Sequence, residues 1–381
     1  MEVIDLSQLK HPTGVPSCVA TVGFFDGVHL GHQYLLSRVA EDARRHGLAS
    51  AVITFSDHPR QVLQSDFRPQ LLTTTEERLA LLSTTGIGYC VVLPFTRDLS
   101  SLSARAFMDE ILRQTVHVKR LHIGYDHRFG HDRTEGFDRY VAYGRELGIE
   151  VVREDGLRVA DLSHGASLNV APETALSSSL IRRLLLDGRV QEASLLLGRP
   201  YHLAGRVVNG EHEGRHLGYP TANIDLQSSS KLVPAAGAYS VIAVEGAHSF
   251  PPPTAQCHHA MMNIGTRPTF GDGHPQTLEV HILNYSGNLY DQHLSVFFVD
   301  RLRGEKRFDS LAELTAQLDK DVIMAEQQLN AASKTSYDNE SSSAGACNHQ
   351  ADAAAETPSR QAASPSAPTV NNQTERKESS I

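Results

Sequence analysis

The 381-residue sequence lacks several features that define whole classes of protein. It has no tryptophan and no apolar run near the roughly 20 residues that a membrane span requires. Its four cysteines lie far apart without a CxxC pair, which argues against a disulfide framework and a zinc ribbon and favours a reducing cytoplasm. The first residues, MEVIDLSQLK, do not have the pattern of a secretory signal.

Positive charge is also scarce in this sequence. Lysine and arginine total 35 against 44 aspartates and glutamates, which gives a formal net charge of −9. This balance argues against broad nucleic-acid binding, although it permits a local basic pocket for a small anion. We therefore expect small-molecule partners, with neither nucleic acid nor a membrane among them. The sequence leaves the oligomeric state open.

The first half of the chain alternates strand-like and helix-like segments. The stretch HQYLLSRVAEDARRHG (32–47) has apolar residues at helical spacing before a terminal glycine, and residues 104–114 form a second helical pattern. This alternation predicts a Rossmann-like α/β domain, a parallel sheet with helices on both faces. The predicted strands are residues 18–23, 50–55, 89–95, 119–124 and 149–154.

The second half has strand candidates with few helical signals between them, which predicts a small antiparallel β-barrel. These strands are residues 203–209, 237–244, 260–265, 277–284 and 293–300. An amphipathic helix is predicted over 310–329, and the polar composition from residue 331 predicts a disordered tail. The predicted organisation is an α/β domain (1–184), a helical linker (185–200), a barrel with its helix (201–330) and the tail (331–381).

The stretch GFFDGVHLGH (23–32) carries the first candidate chemistry. Its glycines allow a tight turn from strand to helix, and its histidines then lie near a helix N-terminus, which favours anions. An imidazole can donate to a phosphate oxygen and can carry positive charge as negative charge develops, so the stretch suits a triphosphate attacked at its α-phosphate. Two alternatives stay open. His29 and His32 only cap and pack, or they share a zinc ion whose third ligand is unidentified.

Two more motifs, TFSDHPR (54–60) and GYDHRFG (124–130), also follow predicted strands. Ligands bind at the carboxyl edge of an open parallel sheet, so five side chains should converge there: His29, His32, His58, Asp126 and Arg128.

SSSLIRR (177–183) opens a later predicted helix. Its serines could cap that helix while Arg182 reaches a phosphate. A plain cap and a solvated arginine are the alternative.

The stretch GRVVNGEHEGRHLGYPTANI (205–224) is the candidate site of the second half. It has no GK[ST] and is therefore not a Walker A loop, but its glycines at 205, 210, 214 and 218 would let the backbone approach phosphates closely. Thr221 and Asn223 offer neutral oxygens that suit a Mg²⁺ already carrying phosphate oxygens. A glycine-rich turn without a ligand is the alternative.

TLEVHILN (277–284) alternates apolar and polar residues, which places Glu279 and His281 on one strand face and Val280 and Ile282 on the other. A carboxylate beside a nucleotide site could accept a hydroxyl proton. An exposed strand glutamate without a catalytic role is the alternative.

These motifs, taken in order, resemble a known family over about residues 15–325. GxFDGVHxGHQ, TFxxHPR, GYDHRFG and SSSxIR resemble the adenylyltransferase half of bacterial bifunctional riboflavin kinase/FAD synthetases, which belongs to the paired-histidine nucleotidyltransferase superfamily. GRVVxGxxxGRxLGYPTANI, GAYSV, NIGTRPTF, LEVHI and RLRGEKRF resemble the riboflavin kinase module of the same family. Asp291 is a departure, because it stands where the family frequently has glycine.

The resemblance implies site residues in both halves. The adenylyltransferase would bind ATP through Gly23, Phe25, Asp26, Gly27, His29, His32, Ser177, Ser178, Ser179 and Arg182, with the two histidines catalytic. Its flavin and nucleotide loop would contain His58, Asp126, Arg128 and Phe129. The kinase would use Glu279 as catalytic base, Thr221 and Asn223 as metal ligands, and Gly205, Gly210, Gly218, Pro220, Thr221, Asn223 and Arg301 to bind ATP or flavin.

The resemblance also implies two reactions. ATP would phosphorylate riboflavin to FMN and then adenylylate FMN to FAD with release of pyrophosphate, both with Mg²⁺. Two rivals stay open: an enzyme with only one of these activities, and a flavin-binding regulator without turnover.

Overall fold

The computed structural model describes most of the chain, with side chains followed through Ala331. The described residues are 1–7, 14–64, 66, 69–124, 127–131, 135–210, 218–226, 229–246, 248, 257–266 and 276–344. Residues Met1–Lys334 form one compact unit, and residues from Thr335 belong to a second unit. In the part of the chain described, every helix is too short or too polar to cross a membrane.

The N-terminal half is built around a six-stranded parallel sheet in the order β1-β4-β3-β2-β5-β6. Its strands are β1 (Glu2–Asp5), β2 (Cys18–Val22), β3 (Ala49–Phe55), β4 (Tyr89–Leu93), β5 (Val118–Gly124) and β6 (Glu150–Glu154). Every residue of β2 is buried, as expected for a central strand covered on both faces. The order reverses direction between β2 and β5, which marks the position where such sheets bind ligands.

Helices connect these strands. They are α1 (Leu30–His46), α2 (Pro59–Leu63), α3 (Thr75–Ser83), α4 (Arg97–Ser101), α5 (Ala104–Ala106), which continues as a π-helix (Phe107–Thr115), and α6 (Phe137–Leu147). Two short 3₁₀ turns follow β6, at Val159–Asp161 and Gly165–Ser167. Helix α1 packs Leu36 and Val39 into the core and ends at Gly47 in the left-handed conformation.

The C-terminal half is a closed antiparallel barrel in the order β10-β11-β8-β7-β12-β9. Its strands are β7 (His202–Val208), β8 (Ala222–Asp225), β9 (Gly237–Glu245), β10 (Cys257–Thr266), β11 (Gln276–Ile282) and β12 (His293–Gly304). The final helix, α9 (Leu311–Ala344), contributes Ala325 and Leu329 to a small cluster with Met261 and Leu283. The predicted combination of an α/β domain and an antiparallel barrel is confirmed.

Two helices, α7 (Ser178–Leu186) and α8 (Val190–Leu197), join the halves. Their apolar side chains, including Ile181, Leu184 and Leu196, belong to the same buried cluster as the barrel core. The domain boundary expected after residue 184 falls inside α7, and the boundaries stay predictions.

Three elements differ from the sequence expectations. Strand β1 was not predicted, because only Ile4 of its four residues is buried and the apolar signal is weak. Strand β8 was not predicted either, because ANID is too short to show a period. Helix α9 continues to Ala344, beyond residue 331 where the disordered tail was predicted to begin, and the disorder of the tail stays a prediction. Elongating a formed helix through residues such as Ala331 and Ala332 costs little. Residues 345–381 lie outside the described residues.

Candidate functional site

A cleft of about 370 Å³ opens at the carboxyl ends of β2 and β5, where the sheet order reverses. The sequence predicted that motifs distant along the chain would meet here, and ten of the predicted residues line this cleft. They are Gly23, Phe25, Asp26, His29, His32, His58, Ser177, Ser178 and Ser179, together with Arg182. Arg128 and Phe129 line the adjoining cavity described below. Asp126 lies outside the described residues.

The turn between β2 and α1 is held in an unusual backbone conformation. Phe25, Gly27 and Val28 have φ values of 54°, 83° and 39°. A Cβ atom on Gly27 would lie 2.8 Å from Leu72 Cδ1, and its φ is one that residues with a side chain rarely adopt, so the position favours glycine. Such strain persists where the surroundings fix the backbone. Here the Gly27 N–H donates to Thr73 Oγ1 at 3.0 Å.

His29 and His32 form a stacked pair at the start of α1, with ring centroids 3.6 Å apart. His29 is the N-cap, and its Nδ1 accepts the His32 backbone N–H at 3.3 Å. Since Nδ1 accepts, the proton of a neutral His29 ring lies on Nε2. Among the described residues His32 Nδ1 has no hydrogen-bond partner. His29 thus caps α1, as the capping alternative expects, and both imidazole rings still face the cleft.

Both imidazoles are neutral in this arrangement. Burial, followed by the charges of Arg199 and Arg182, lowers the pKa of His29 to about 3. Burial and then His29 hold the pKa of His32 well below its ordinary 6.5. Burial, which the motif alone does not reveal, keeps both rings neutral in this geometry, and a positive charge on them as negative charge develops on a phosphate stays a prediction. A neutral imidazole still donates one N–H to a phosphate oxygen.

Asp26 holds the cleft wall together instead of pointing freely at a ligand. Only 3% exposed, its carboxylate accepts the Leu72 N–H, the Thr73 N–H and the Thr73 hydroxyl at 3.0–3.1 Å. It also pairs with Arg182, whose Nη2 lies 2.6 Å from Oδ2. Arg182 Nε donates to the Gln70 carbonyl at 2.8 Å. The arginine predicted to reach a phosphate is thus oriented by the aspartate predicted to bind ATP.

The N-terminus of α7 forms the opposite wall of the cleft. Ser177 is its N-cap and accepts the Leu180 N–H, whereas the Ser178 hydroxyl donates to the Asp26 carbonyl at 2.9 Å. Ser179 is exposed. The N-termini of α1 and α7 therefore both border this cleft, which favours a polyanion between them.

His58 closes one side of the cleft and contacts residues that the sequence did not indicate. It caps α2 and lies edge-on to Phe24, with centroids 4.9 Å apart, and burial followed by the Arg182 charge lowers its pKa. The ring centroid of Phe24 lies 4.2 Å from the guanidinium carbon of the fully buried Arg78. Arg78 Nη2 donates to the Phe55 carbonyl at 2.6 Å.

An apolar cavity of about 310 Å³ adjoins the cleft and shares Val22, Gly23, Phe24 and His127 with it. Its other walls include Phe55, Phe95, Leu102, Phe107, Arg128 and Phe129. Phe129 is held by stacking on Tyr140, with ring centroids 4.2 Å apart. A planar aromatic ring fits such walls, with its polar end at the cleft.

The second candidate site lies on the barrel. Strands β8, β11 and β10 place Asn223, Glu279 and Asn263 directly opposite one another. Opposed residues on adjacent strands share a face, so the predicted base and a predicted metal ligand are neighbours. Val280 and Ile282 are buried, which confirms the predicted alternation along β11. Asn263 was not predicted, because only the strand register reveals it.

The segment before β8 is fixed against this face. The Pro220 carbonyl accepts from His281 Nδ1 at 2.8 Å, and a Cβ atom on Gly210 would lie 2.0 Å from Asn223 Nδ2. Pro220 and Thr221 line a cavity of about 100 Å³ with Tyr285 and Tyr290. Gly205 lies within β7 and Gly218 two residues before Pro220. Residues 211–217, including Gly214, are outside the described residues.

Arg301 has a different setting from the one expected for a binding residue. Its guanidinium donates to the Ala236 carbonyl at 2.7 Å and to the Asp187 carbonyl at 3.2 Å, and it packs over Tyr239. These contacts tie β12 to the end of α7. The structure places Arg301 at this junction and not in the lining of the barrel cavity.

Comparisons with known proteins match both halves. Residues 12–163 match the FAD synthetase family and residues 197–329 match the riboflavin kinase family. A bifunctional riboflavin kinase/FMN adenylyltransferase from Escherichia coli K12 is 35% identical over 81% of this chain and 92% of its own length. The protein of the same description from Pseudomonas fluorescens is 38% identical over the same shares. The chain belongs to the bifunctional riboflavin kinase/FMN adenylyltransferase family.

A solved structure has the same fold across both halves. A Streptococcus pneumoniae crystal structure titled as a macrolide-efflux protein covers 86% of this chain and 99% of its own at 28% identity, with a TM-score of 0.72.

The zinc alternative for the paired histidines receives no support from the geometry of the described residues. Among the residues that the structure describes, no group of three or more His, Cys, Asp or Glu side chains is placed to hold a metal ion.

Proposed function

We propose that this chain phosphorylates riboflavin to FMN on the barrel and adenylylates FMN to FAD in the cleft of the α/β half. The observation that carries the proposal is the join between the polar cleft and the apolar cavity. The cleft suits a triphosphate and the cavity suits a flavin ring, so the FMN phosphate would meet the nucleotide α-phosphate near Gly23 and Phe24. Both family matches and the two curated relatives support the pair of activities.

In the adenylylation, a phosphate oxygen of FMN would attack the α-phosphorus of ATP, and the bond to pyrophosphate would break. Negative charge grows on the α-phosphate oxygens, where fixed donors are worth most. His29 would donate through Nε2–H, because its Nδ1 accepts the His32 backbone N–H. Arg182, oriented by Asp26, and the N-terminus of α7 would hold the rest of the triphosphate.

In the phosphorylation, Glu279 would accept the proton of the terminal ribityl hydroxyl of riboflavin as that oxygen attacks the γ-phosphorus of ATP, and the bond from the γ-phosphorus to the ADP oxygen would break. The neutral oxygens of Thr221 and Asn223 suit Mg²⁺, and Asn223 lies opposite the Glu279 carboxylate on the next strand. A bound Mg²⁺ would neutralise and orient the phosphates. Asn263, on the other side of Glu279, is positioned to orient that carboxylate or the hydroxyl.

The remaining expectations belong to the same proposal. The substrates are small molecules, namely ATP, riboflavin and FMN, without nucleic-acid or membrane partners. A cytoplasmic location follows from the spacing of the cysteines.

Incubation with riboflavin and Mg-ATP, followed by chromatography of the flavins, tests the proposal. The unmodified protein should form FMN and then FAD. Glu279→Gln should slow FMN formation by roughly 10²–10⁴-fold and leave FAD formation from supplied FMN unchanged. His29→Ala should slow FAD formation by roughly 10²–10³-fold and spare FMN formation.

A matched control exists on the same helix as His29. His46→Ala, at the far end of α1 with a side chain 44% exposed, should leave both rates unchanged. FAD formation at the normal rate in His29→Ala would show that the paired histidines only cap and pack. Formation of FMN alone by the unmodified protein would support the single-activity rival, and formation of neither product would support the flavin-binding regulator.

A further inference from the structure

The glycine turn of the cleft is held from outside the α/β half, by the residues that lead into the barrel. Arg199, between α8 and β7, donates from Nη2 to the Gly27 carbonyl at 2.7 Å and from Nη1 to the Leu197 carbonyl at 3.3 Å. Gln33 of α1 bridges the same two segments, because its Nε2 lies 2.9 Å from the Val28 carbonyl and 3.4 Å from that of Leu197.

Gly27 is therefore fixed at both ends of its backbone. Its N–H donates to Thr73 of the α/β half, and its carbonyl accepts from Arg199. The neighbouring Val28 has a φ of 39°, which is unfavourable for a β-branched residue. Without its external contacts, this segment would relax toward ordinary dihedral angles. Because His29 follows directly, such relaxation would move the imidazole that faces the cleft.

The charge of Arg199 interacts with a cluster that joins α3 of the α/β half to the C-terminal half. Arg199 lies in the field of the Glu77 carboxylate, which opposes the fall of the Arg199 pKa to about 10 that burial causes. Glu77 in turn accepts from Lys231 Nζ at 2.6 and 2.5 Å and pairs with His202 at 3.1 Å. Lys231 and His202 both belong to the C-terminal half, and His202 begins β7.

We propose that Arg199 is a positioning residue for FMN adenylylation, which holds the Gly27–His29 turn in its productive geometry from the entrance to the barrel. The proposal rests on the function proposed above. A planar guanidinium spans the carbonyls of Gly27 and Leu197 together, which a single ammonium group cannot reproduce. Displacing a catalytic group by about 1 Å can cost roughly 10²-fold in rate. We expect the effect to be specific to adenylylation, because the barrel face that carries Glu279 includes neither the Gly27 carbonyl nor the Leu197 carbonyl.

The test compares full-length Arg199→Met, Arg199→Lys and a control, Arg189→Met. Arg189 is an arginine of the same connection, but it pairs with Glu192 and donates to the Asn169 carbonyl, away from the glycine turn. FMN adenylylation and riboflavin phosphorylation are measured separately, with kcat and KM for each, and thermal unfolding reports the fold.

Arg199→Met should lower kcat for adenylylation by roughly 10- to 100-fold, change KM for FMN less than about threefold, and leave phosphorylation within about twofold. Arg199→Lys should recover part of the loss, and Arg189→Met should match the unmodified protein. If Arg199→Met does not fold, Arg199→Lys is judged by the same comparison of the two activities.

Three outcomes overturn the inference. They are unchanged adenylylation in the folded variant, a change confined to KM, and an equal loss of both activities, which would indicate a merely structural role. Failure of the proposed function is a separate result, because the unmodified protein would then form no FAD.

Discussion

Replacing Asp26 by asparagine tests whether this carboxylate organises the cleft. In the structure Oδ1 accepts three hydrogen bonds, from Leu72 N, Thr73 N and Thr73 Oγ1, while Oδ2 faces Arg182 Nη2 at 2.6 Å and shares the Leu72 N–H. Asparagine keeps an oxygen for the first set. Its amide nitrogen, however, places two hydrogens against the guanidinium, where an acceptor is needed.

The magnitude follows from this geometry. The variant loses one charge-assisted hydrogen bond, worth about 1.5–3 kcal/mol, and gains a buried donor facing a donor. Breaking a buried pair from one side typically costs about 3–5 kcal/mol, and Asp26 is 3% exposed, so we expect a loss in that range. Arg182→Gln should cost less, about 1–2 kcal/mol. The Arg182 side chain is 25% exposed, and Asp26 would keep its three other donors.

Urea unfolding of the unmodified protein, both single variants and the double variant gives these free energies and their coupling. The double variant should cost clearly less than the sum of the single variants. Asp57→Asn, a change of the same kind at an exposed position, should stay within about 0.5 kcal/mol. Asp26→Asn should also slow FAD formation and spare FMN formation. Equal costs for the two single variants, or strict additivity, would refute the proposed role of Asp26.

Two further predictions concern stability. Burial alone would raise the pKa of Glu77, but His202 and Lys231 lower it from 4.5 to about 2. Glu77 therefore contributes about 3 kcal/mol to the free energy of unfolding. This contribution is present above pH 4.5 and is lost as the pH falls toward 2. Glu77→Gln should lose this stability at pH 7 and flatten the acid dependence in urea unfolding, whereas the exposed Glu76→Gln should change neither. Asp291 has a φ of 64°, so Asp291→Gly should raise the unfolding free energy by roughly 0.5–1 kcal/mol and Asp291→Ala should lower it. The reverse order of these two variants would show that the Asp291 side chain contributes more than the backbone strain costs.

The spacing of apolar residues was sufficient to predict the architecture, because within each strand or helix that spacing reflects which side chains are buried. The five predicted strands of the sheet are β2 to β6, each found within about two residues of its expected bounds. The convergence of His29, His32 and His58 also followed, because the carboxyl ends of parallel strands share one edge. The parallel topology of the sheet is thus enough to predict that separate motifs form one site, without knowledge of the side-chain positions.

What the sequence did not contain is the environment of each group. The neutral state of His29 depends on burial and on Arg199, which lies 170 positions away along the chain. The hydrogen-bond partners of Arg199 are backbone carbonyls, which every residue type has, so a sequence motif could not indicate them. Asp26 and Arg182 were predicted as separate ATP contacts, although they form one ion pair. The local sequence pattern predicts which residues come together at the cleft, whereas tertiary packing determines which side chain contacts which partner.

These contacts also bear on how independent the two halves are. Helix α7 borders the cleft with Ser177, Ser178 and Arg182, while Ile181 and Leu184 are buried in the cluster that continues into the barrel core. The backbone hydrogen bonds of a helix hold its turns together, so a shift of the apolar residues of α7 also carries the serines and the arginine at the cleft. Arg199 and the Glu77–Lys231 pair add two polar connections across the same junction. The geometry of the proposed adenylylation site therefore depends on the packing of the kinase half, whereas the Asn223–Glu279 face is set by strand register within the barrel alone.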